Sequence, residues 1–97
     1  MAKFVQIIEF QTSRPDEVMA LHEQWQSETE GKRTAERVTV TRDRDRPGAF
    51  VIIAEFPSYD EAMKNNDLPQ TQRISEQMMK LADGEPTFRN LDVSRQA

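Results

Sequence analysis

Phe4-Val5-Gln6-Ile7-Ile8-Glu9-Phe10 is answered in the second half of the chain by Phe50-Val51-Ile52-Ile53-Ala54-Glu55-Phe56. Both stretches are dense in branched and aromatic residues, the composition of a strand. Each runs into a turn and a helix start: Ser13-Arg14-Pro15-Asp16 after the first, Ser58-Tyr59-Asp60-Glu61 after the second. Two such units predict a doubled β-α-β plan.

Outward from these strands, the first helix is expected from the Ser13 hydroxyl, the early Pro15 and the acids Asp16 and Glu17, all of which favour an N-terminus. Val18, Leu21, His22 and Trp25 fall at helical spacing on one face, and Gly31 is a plausible stop. Thr34 to Thr41 alternates Val38 and Val40 against Thr39 and Thr41, an edge strand with one wetter face. The charged run from Arg42 to Arg46 ends in Pro47-Gly48, a hairpin tip whose exposed ion pairs carry little energy. Ser58-x-x-Glu61 has the form of a capping box. Pro69 breaks the following helix, because the residue before a proline is pushed out of the helical region. A further helix carries Thr71, Ile74, Met78 and Leu81 inward. Phe88 to Val93 is the last strand.

The order β-α-β-β-α-β is the ferredoxin-like plan of an α+β fold: a four-stranded, antiparallel-type sheet with helices on one face. Right-handed crossovers are expected to bring the first and third strands together, parallel, at the centre of the sheet. Those two strands are apolar on both faces. Phe4, Ile8 and Phe10 point one way and Val5 and Ile7 the other; Phe50, Ile52 and Phe56 oppose Val51 and Ile53 in the same manner. The helices cover one side only. Each branched aliphatic left in water forgoes roughly 1.5–3 kcal/mol of burial. A second copy, packed sheet against sheet, is the simplest cover, so a homodimer is expected.

The 97 residues correspond to one domain, 1–97. Hydrophobic residues make up 36%, low for a self-sufficient core, which again favours association. A net charge of −4 argues against a general nucleic-acid binder. There is no cysteine, so thiolate catalysis, thiolate metal sites and disulfides are excluded. No apolar run approaches a membrane span and no signal-type leader precedes the first strand, so a cytoplasmic location without membrane contact is expected.

The stretch Phe56-Pro57-Ser58-Tyr59-Asp60-Glu61-Ala62-Met63, then Pro69, then Pro86-x-Phe88, resembles the antibiotic-biosynthesis-monooxygenase-like domains of the dimeric α/β-barrel superfamily. The resemblance spans almost the whole chain. Its motifs are structural, marking a strand end, a helix cap, a helix break and a last strand. Members include cofactor-independent oxygenases, haem-degrading enzymes, isomerases, stress-response proteins and proteins without known activity.

His22, the only histidine, stands one turn before Trp25. Histidine is the side chain best suited to act as a base near neutral pH, and Trp25 could stack on a flat ligand. The plainer alternative, which the residues favour, has His22 capping the core edge and Trp25 filling the core. Gln6 interrupts the Phe4–Ile8–Phe10 face and must find a hydrogen-bond partner. The resemblance implies that a polar amide on this strand lines the pocket, which makes Gln6 the preferred site residue. It also points to Asn65 and Asn66, although an aromatic stands near there in many relatives. Asn90 shares parity with Phe88 and could join the pocket. Tyr59 and Arg73 are further polar candidates for ligand contact.

Glu9 and Glu55 would lie at corresponding ends of adjacent strands and could form an acid/base pair of isomerase type. Ion pairing with Arg37, Arg42, Arg89 or a partner-chain arginine is the simpler assignment. Haem is disfavoured, since the resemblance places its axial histidine on the last helix and Pro69 to Leu81 has none. Metal is likewise not expected, because no carboxylate cluster has ligand spacing. The reading placed first is an oxygenase without metal, flavin or other cofactor, acting on an electron-rich aromatic small molecule. His22 and Gln6 would be its catalytic residues, and Trp25, Asn66, Asn90, Tyr59 and Arg73 its ligand contacts. The alternatives are a non-catalytic small-ligand-binding or accessory protein on the same scaffold and, behind it, the isomerase.

Overall fold

The computed structural model describes residues 2–97. Strand β1 is Phe4–Gln11, helix α1 Pro15–Glu28, β2 Arg37–Arg42, β3 Ala49–Phe56, α2 Tyr59–Asn66, α3 Pro69–Leu81 and β4 Thr87–Asp92. The sheet order is β2-β3-β1-β4, the ferredoxin-like arrangement, with the two most apolar strands at the centre.

One expectation is corrected. β1 and β3 are neighbours but antiparallel, paired Phe4 to Phe56, Ile8 to Ile52 and Phe10 to Phe50. Each helical crossover returns the chain in its original direction, so β1 runs parallel to β2 across the intervening β3. The hairpin between β2 and β3 then reverses the chain, and β3 enters the gap against β1. The consequence reaches the chemistry. Glu9 pairs with Val51, and Glu55 pairs with Val5, so the two carboxylates lie toward opposite ends of the face. They are not a couple. Glu9 meets Arg89 at 3.7 Å and Glu55 meets Arg37 at 3.8 Å, as the simpler assignment had it.

The helix starts depart from expectation in detail. No side chain caps α1, whose N-cap residue is Arg14 rather than Ser13. The neighbouring hydroxyl of Thr12 organises the entry instead. Thr12 Oγ1 accepts from the Arg14 amide at 3.0 Å and donates to the Leu81 carbonyl at 2.7 Å. The Thr12 amide donates to the Gly48 carbonyl at 2.9 Å. One buried threonine therefore joins the start of α1, the end of α3 and the β2–β3 hairpin. Gly48 has φ +83°, and a Cβ there would stand 3.0 Å from the Thr12 carbonyl oxygen, so glycine meets both demands. Ser58 does cap α2, its Oγ accepting from the Glu61 amide at 3.2 Å. The reciprocal half of the box is diverted, because the Glu61 carboxylate takes Lys64 at 3.1 Å. Pro69 opens α3 at its first turn, where a missing N–H costs nothing.

The core lies between the helices and the Phe4–Phe10 face. Phe10 and Phe50 stack with centroids 5.6 Å apart and planes 8° from parallel. Val18 of α1 is fully enclosed over them, with Ile52 in the same cluster and Met78 and Leu81 of α3 packed against it. A second cluster at the other end joins Phe4, Ala54, Phe56 and Ala62. On the opposite face, Val5, Ile7, Val51 and Ile53 are only half-buried in a single copy, and Leu91 is exposed. Every residue of β4 is exposed. The helix layer thus stops short of this edge strand, and the gap opens the main cavity.

Candidate functional site

A cavity of about 420 Å³ lies between α1, α3 and the helix-side face of the sheet. That volume suits a small organic ligand. Its floor is Ile8, Ile52, Ala54 and Phe56, and Phe88 stands on the β4 side. The antiparallel pairing sets this up, since Gln6 and Ile8 face Asn90 and Phe88 across the β1–β4 ladder.

His22 and Trp25 both line the cavity from α1, brought to one side by their helical spacing. Their rings stack with centroids 5.8 Å apart and 29° between planes. Trp25 is nearly enclosed. Its Nε1–H donates to Thr71 Oγ1 of α3 at 2.9 Å, and the Arg33 guanidinium lies 5.7 Å from its ring centroid. The indole is therefore a fixed wall and a brace between two helices. Burial against this wall pushes the His22 pKa below the usual histidine value, with Arg33 adding to the fall and Glu23 opposing it. His22 is consequently neutral at pH 7 and able to accept a proton.

Amides supply most of the remaining polarity. Gln6 lines the cavity, and its Nε2 donates to Asn90 Oδ1 at 3.3 Å. Asn65 is buried; its Oδ1 accepts from the Thr34 amide at 3.3 Å, which leaves its NH2 group for the cavity. Asn66 and Gln72 complete the row where α2 passes into α3. Such groups can hold an oxyanion or a carbonyl without adding formal charge. Among the described residues, no three histidine, cysteine or acidic side chains gather to hold a metal ion.

The structure thus brings together His22, Gln6, Trp25 and Asn66, with Asn90 tied to Gln6 at the rim. It does not bring Tyr59 or Arg73 to the cavity. Tyr59 starts α2 at the far end, half exposed, its ring edge-on to Phe4 at 5.3 Å. Arg73 points away and pairs with Glu28 of α1. Ser75 and Glu76 also line the cavity, and of the two Glu76 was marked by no sequence pattern. They flank the Thr71–Ile74–Met78 stripe and would be solvent-facing on a helix covering a full sheet. Both stay exposed here too, at the open side of the cavity beside the uncovered β4 edge.

No protein-family model and no curated protein matches the sequence. Solved structures do match the fold. SnoaB, a cofactor-independent oxygenase from Streptomyces nogalater seen in a point-mutant form, superposes with a TM-score of 0.84 at 14% identity, covering 99% of this chain and 97% of its own. A protein provisionally assigned as an antibiotic biosynthesis monooxygenase, from Caulobacter crescentus, gives 0.86 at 11% identity over 97% and 92%. A conserved protein from Methanosarcina mazei gives 0.84 at 14% over 94% and 92%. The chain therefore has the fold of the antibiotic-biosynthesis-monooxygenase-like proteins, the class its sequence motifs resemble.

Proposed function

We propose that the protein binds a flat, electron-rich aromatic molecule in the cavity between α1, α3 and the sheet, and oxidises it with dioxygen without a resident cofactor. The observation that carries the reading is a half-buried His22 held against Trp25 at the wall of an apolar cavity edged with amides. His22 would remove a proton from an acidic ring CH2. The resulting carbanion is the reductant. Its electron pair passes to dioxygen, giving a hydroperoxide once the proton returns; loss of water then leaves a carbonyl. Overall, CH2 and O2 become C=O and H2O. Gln6, Asn66 and the free NH2 of Asn65 would hold the anion, and Asn90 would orient Gln6. The likeness to a cofactor-independent oxygenase supports this chemistry at the level of fold alone.

The test is dioxygen uptake with a three-ring phenol carrying an acidic CH2, measured for the natural chain, His22→Ala and Gln6→Ala. Uptake lost in both variants with the fold retained supports the assignment. Binding without uptake by the natural chain would instead identify a carrier or accessory protein on this scaffold.

A homodimer is part of the same proposal. Val5, Ile7, Val51 and Ile53 form a continuous apolar strip across the two central strands, flanked by the Glu9–Arg89 and Glu55–Arg37 pairs. A second copy laid on this strip would remove from water what the helices leave uncovered.

A further inference from the structure

A smaller space of about 60 Å³ adjoins the main cavity toward the C-terminal end of α3. Ile8, Ile52, Ser75, Met78 and Phe88 line both, so the two are compartments of one hollow. Polarity changes along that hollow in a single direction. On β1 the residues that line it run Gln6, Ile8, Phe10, and on α3 they run Thr71, Ile74, Met78, with Ala82 just past the helix. Asn65 and Asn66 stand at the start of this series, where α2 passes into α3, and Pro86 stands at its end. Strand wall and helix wall therefore pass together from amide and hydroxyl to hydrocarbon.

The smaller compartment has one polar side chain, Ser75, which it shares with the main cavity. An ordered water needs two to four polar partners, so this space suits carbon better than water. Its volume is about that of two water molecules in the liquid, room for about two or three carbon atoms. Met79 and Phe88, each 50% exposed, also line it and add apolar surface that a ligand would cover.

We infer that the ligand of this site carries a short saturated arm of about two or three carbons. The arm fills the smaller compartment while the oxygen-bearing end of the ring system meets the amides. Ala82 and Met79, which line the smaller compartment and not the main cavity, set the length of the arm. The inference rests on the reading of the cavity as the ligand site and narrows its substrate class, and it requires no particular reaction there.

The experiment is calorimetric titration of the full chain with 2-naphthol, 6-ethyl-2-naphthol and 3-ethyl-2-naphthol. Position 6 lies at the end of the ring pair away from the hydroxyl, and position 3 lies beside it. The 6-ethyl compound is expected to bind about tenfold more tightly than 2-naphthol, and the 3-ethyl isomer no more tightly than the parent. Ala82→Leu fills the smaller compartment and should abolish the 6-ethyl gain, with 2-naphthol held to within about twofold. Met79→Ala removes one wall at a half-exposed position where truncation is well tolerated, and should cut the gain to about threefold. It carries the test alone if the leucine variant does not fold. Equal gains from the two ethyl positions, or a 6-ethyl gain undiminished in the folded variants, would overturn the inference and leave the cavity as the ligand site. Failure of the natural chain to bind 2-naphthol and its 6-ethyl derivative would overturn both. The expected gain without dioxygen uptake would support the arm and sink only the oxidation chemistry.

Discussion

Trp25 of α1 and Thr71 of α3 are joined by a 2.9 Å hydrogen bond across the mouth of the helix layer. The indole N–H is a donor only, and Trp25 is almost fully buried, so Thr71 is its means of satisfaction. The same bond fixes the wall on which His22 rests.

Thr71→Val keeps the shape and removes the acceptor. The buried N–H then has no partner, at a cost of about 1–3 kcal/mol. Thermal unfolding should move down accordingly, while Thr71→Ser should stay close to the natural chain. Equal stability of the valine and serine variants would show that the bond contributes nothing.

His22 gives the pH dependence a definite sign. Its folded pKa is depressed by burial, so the unfolded chain takes up its proton first as pH falls. The stability associated with the neutral ring is present above about pH 6.5, the ordinary histidine value, and is lost as pH drops from there through the folded pKa. His22→Asn should flatten this part of a stability-against-pH curve. If His22 is the base, kcat/KM should be constant at neutral pH and fall on an acid limb below about pH 6.5. An acid limb centred above that value would be incompatible with this residue in this environment.

Ile7 and Ile53 face each other across the β1–β3 ladder on the side away from the helices. Ile7→Asp puts a charge at the centre of the strip proposed to pack against a second copy. Sedimentation should show a dimer for the natural chain and a monomer for the variant, with the helical circular dichroism preserved. A natural chain that remains monomeric at tens of micromolar would remove the dimer.

The strands and helices were legible because their signals are local. Period-two apolar runs, Ser58 before Glu61 and Pro69 each act within a few residues, and α3 does carry Ile74 and Met78 inward as its spacing implied. Strand direction was not local. Whether β3 lies parallel or antiparallel to β1 depends on the first crossover together with the hairpin that follows it, and that one choice separated Glu9 from Glu55. Site residues divided in the same way. His22 and Trp25 share a helical face by spacing alone, and Gln6 was visible as a polar break in an apolar face. Tyr59 and Arg73 looked equally eligible, yet the fold spends one on Phe4 and the other on Glu28.

What the sequence determined by itself was the set of elements, their order and the two-sided greasiness of the central strands, because backbone propensity and side-chain alternation are written residue by residue. The tertiary structure alone decided that β4 stays uncovered and that the space beside it becomes a cavity. Those outcomes depend on how far a helix layer reaches across a sheet, which is a property of packed surfaces and not of any short stretch of chain.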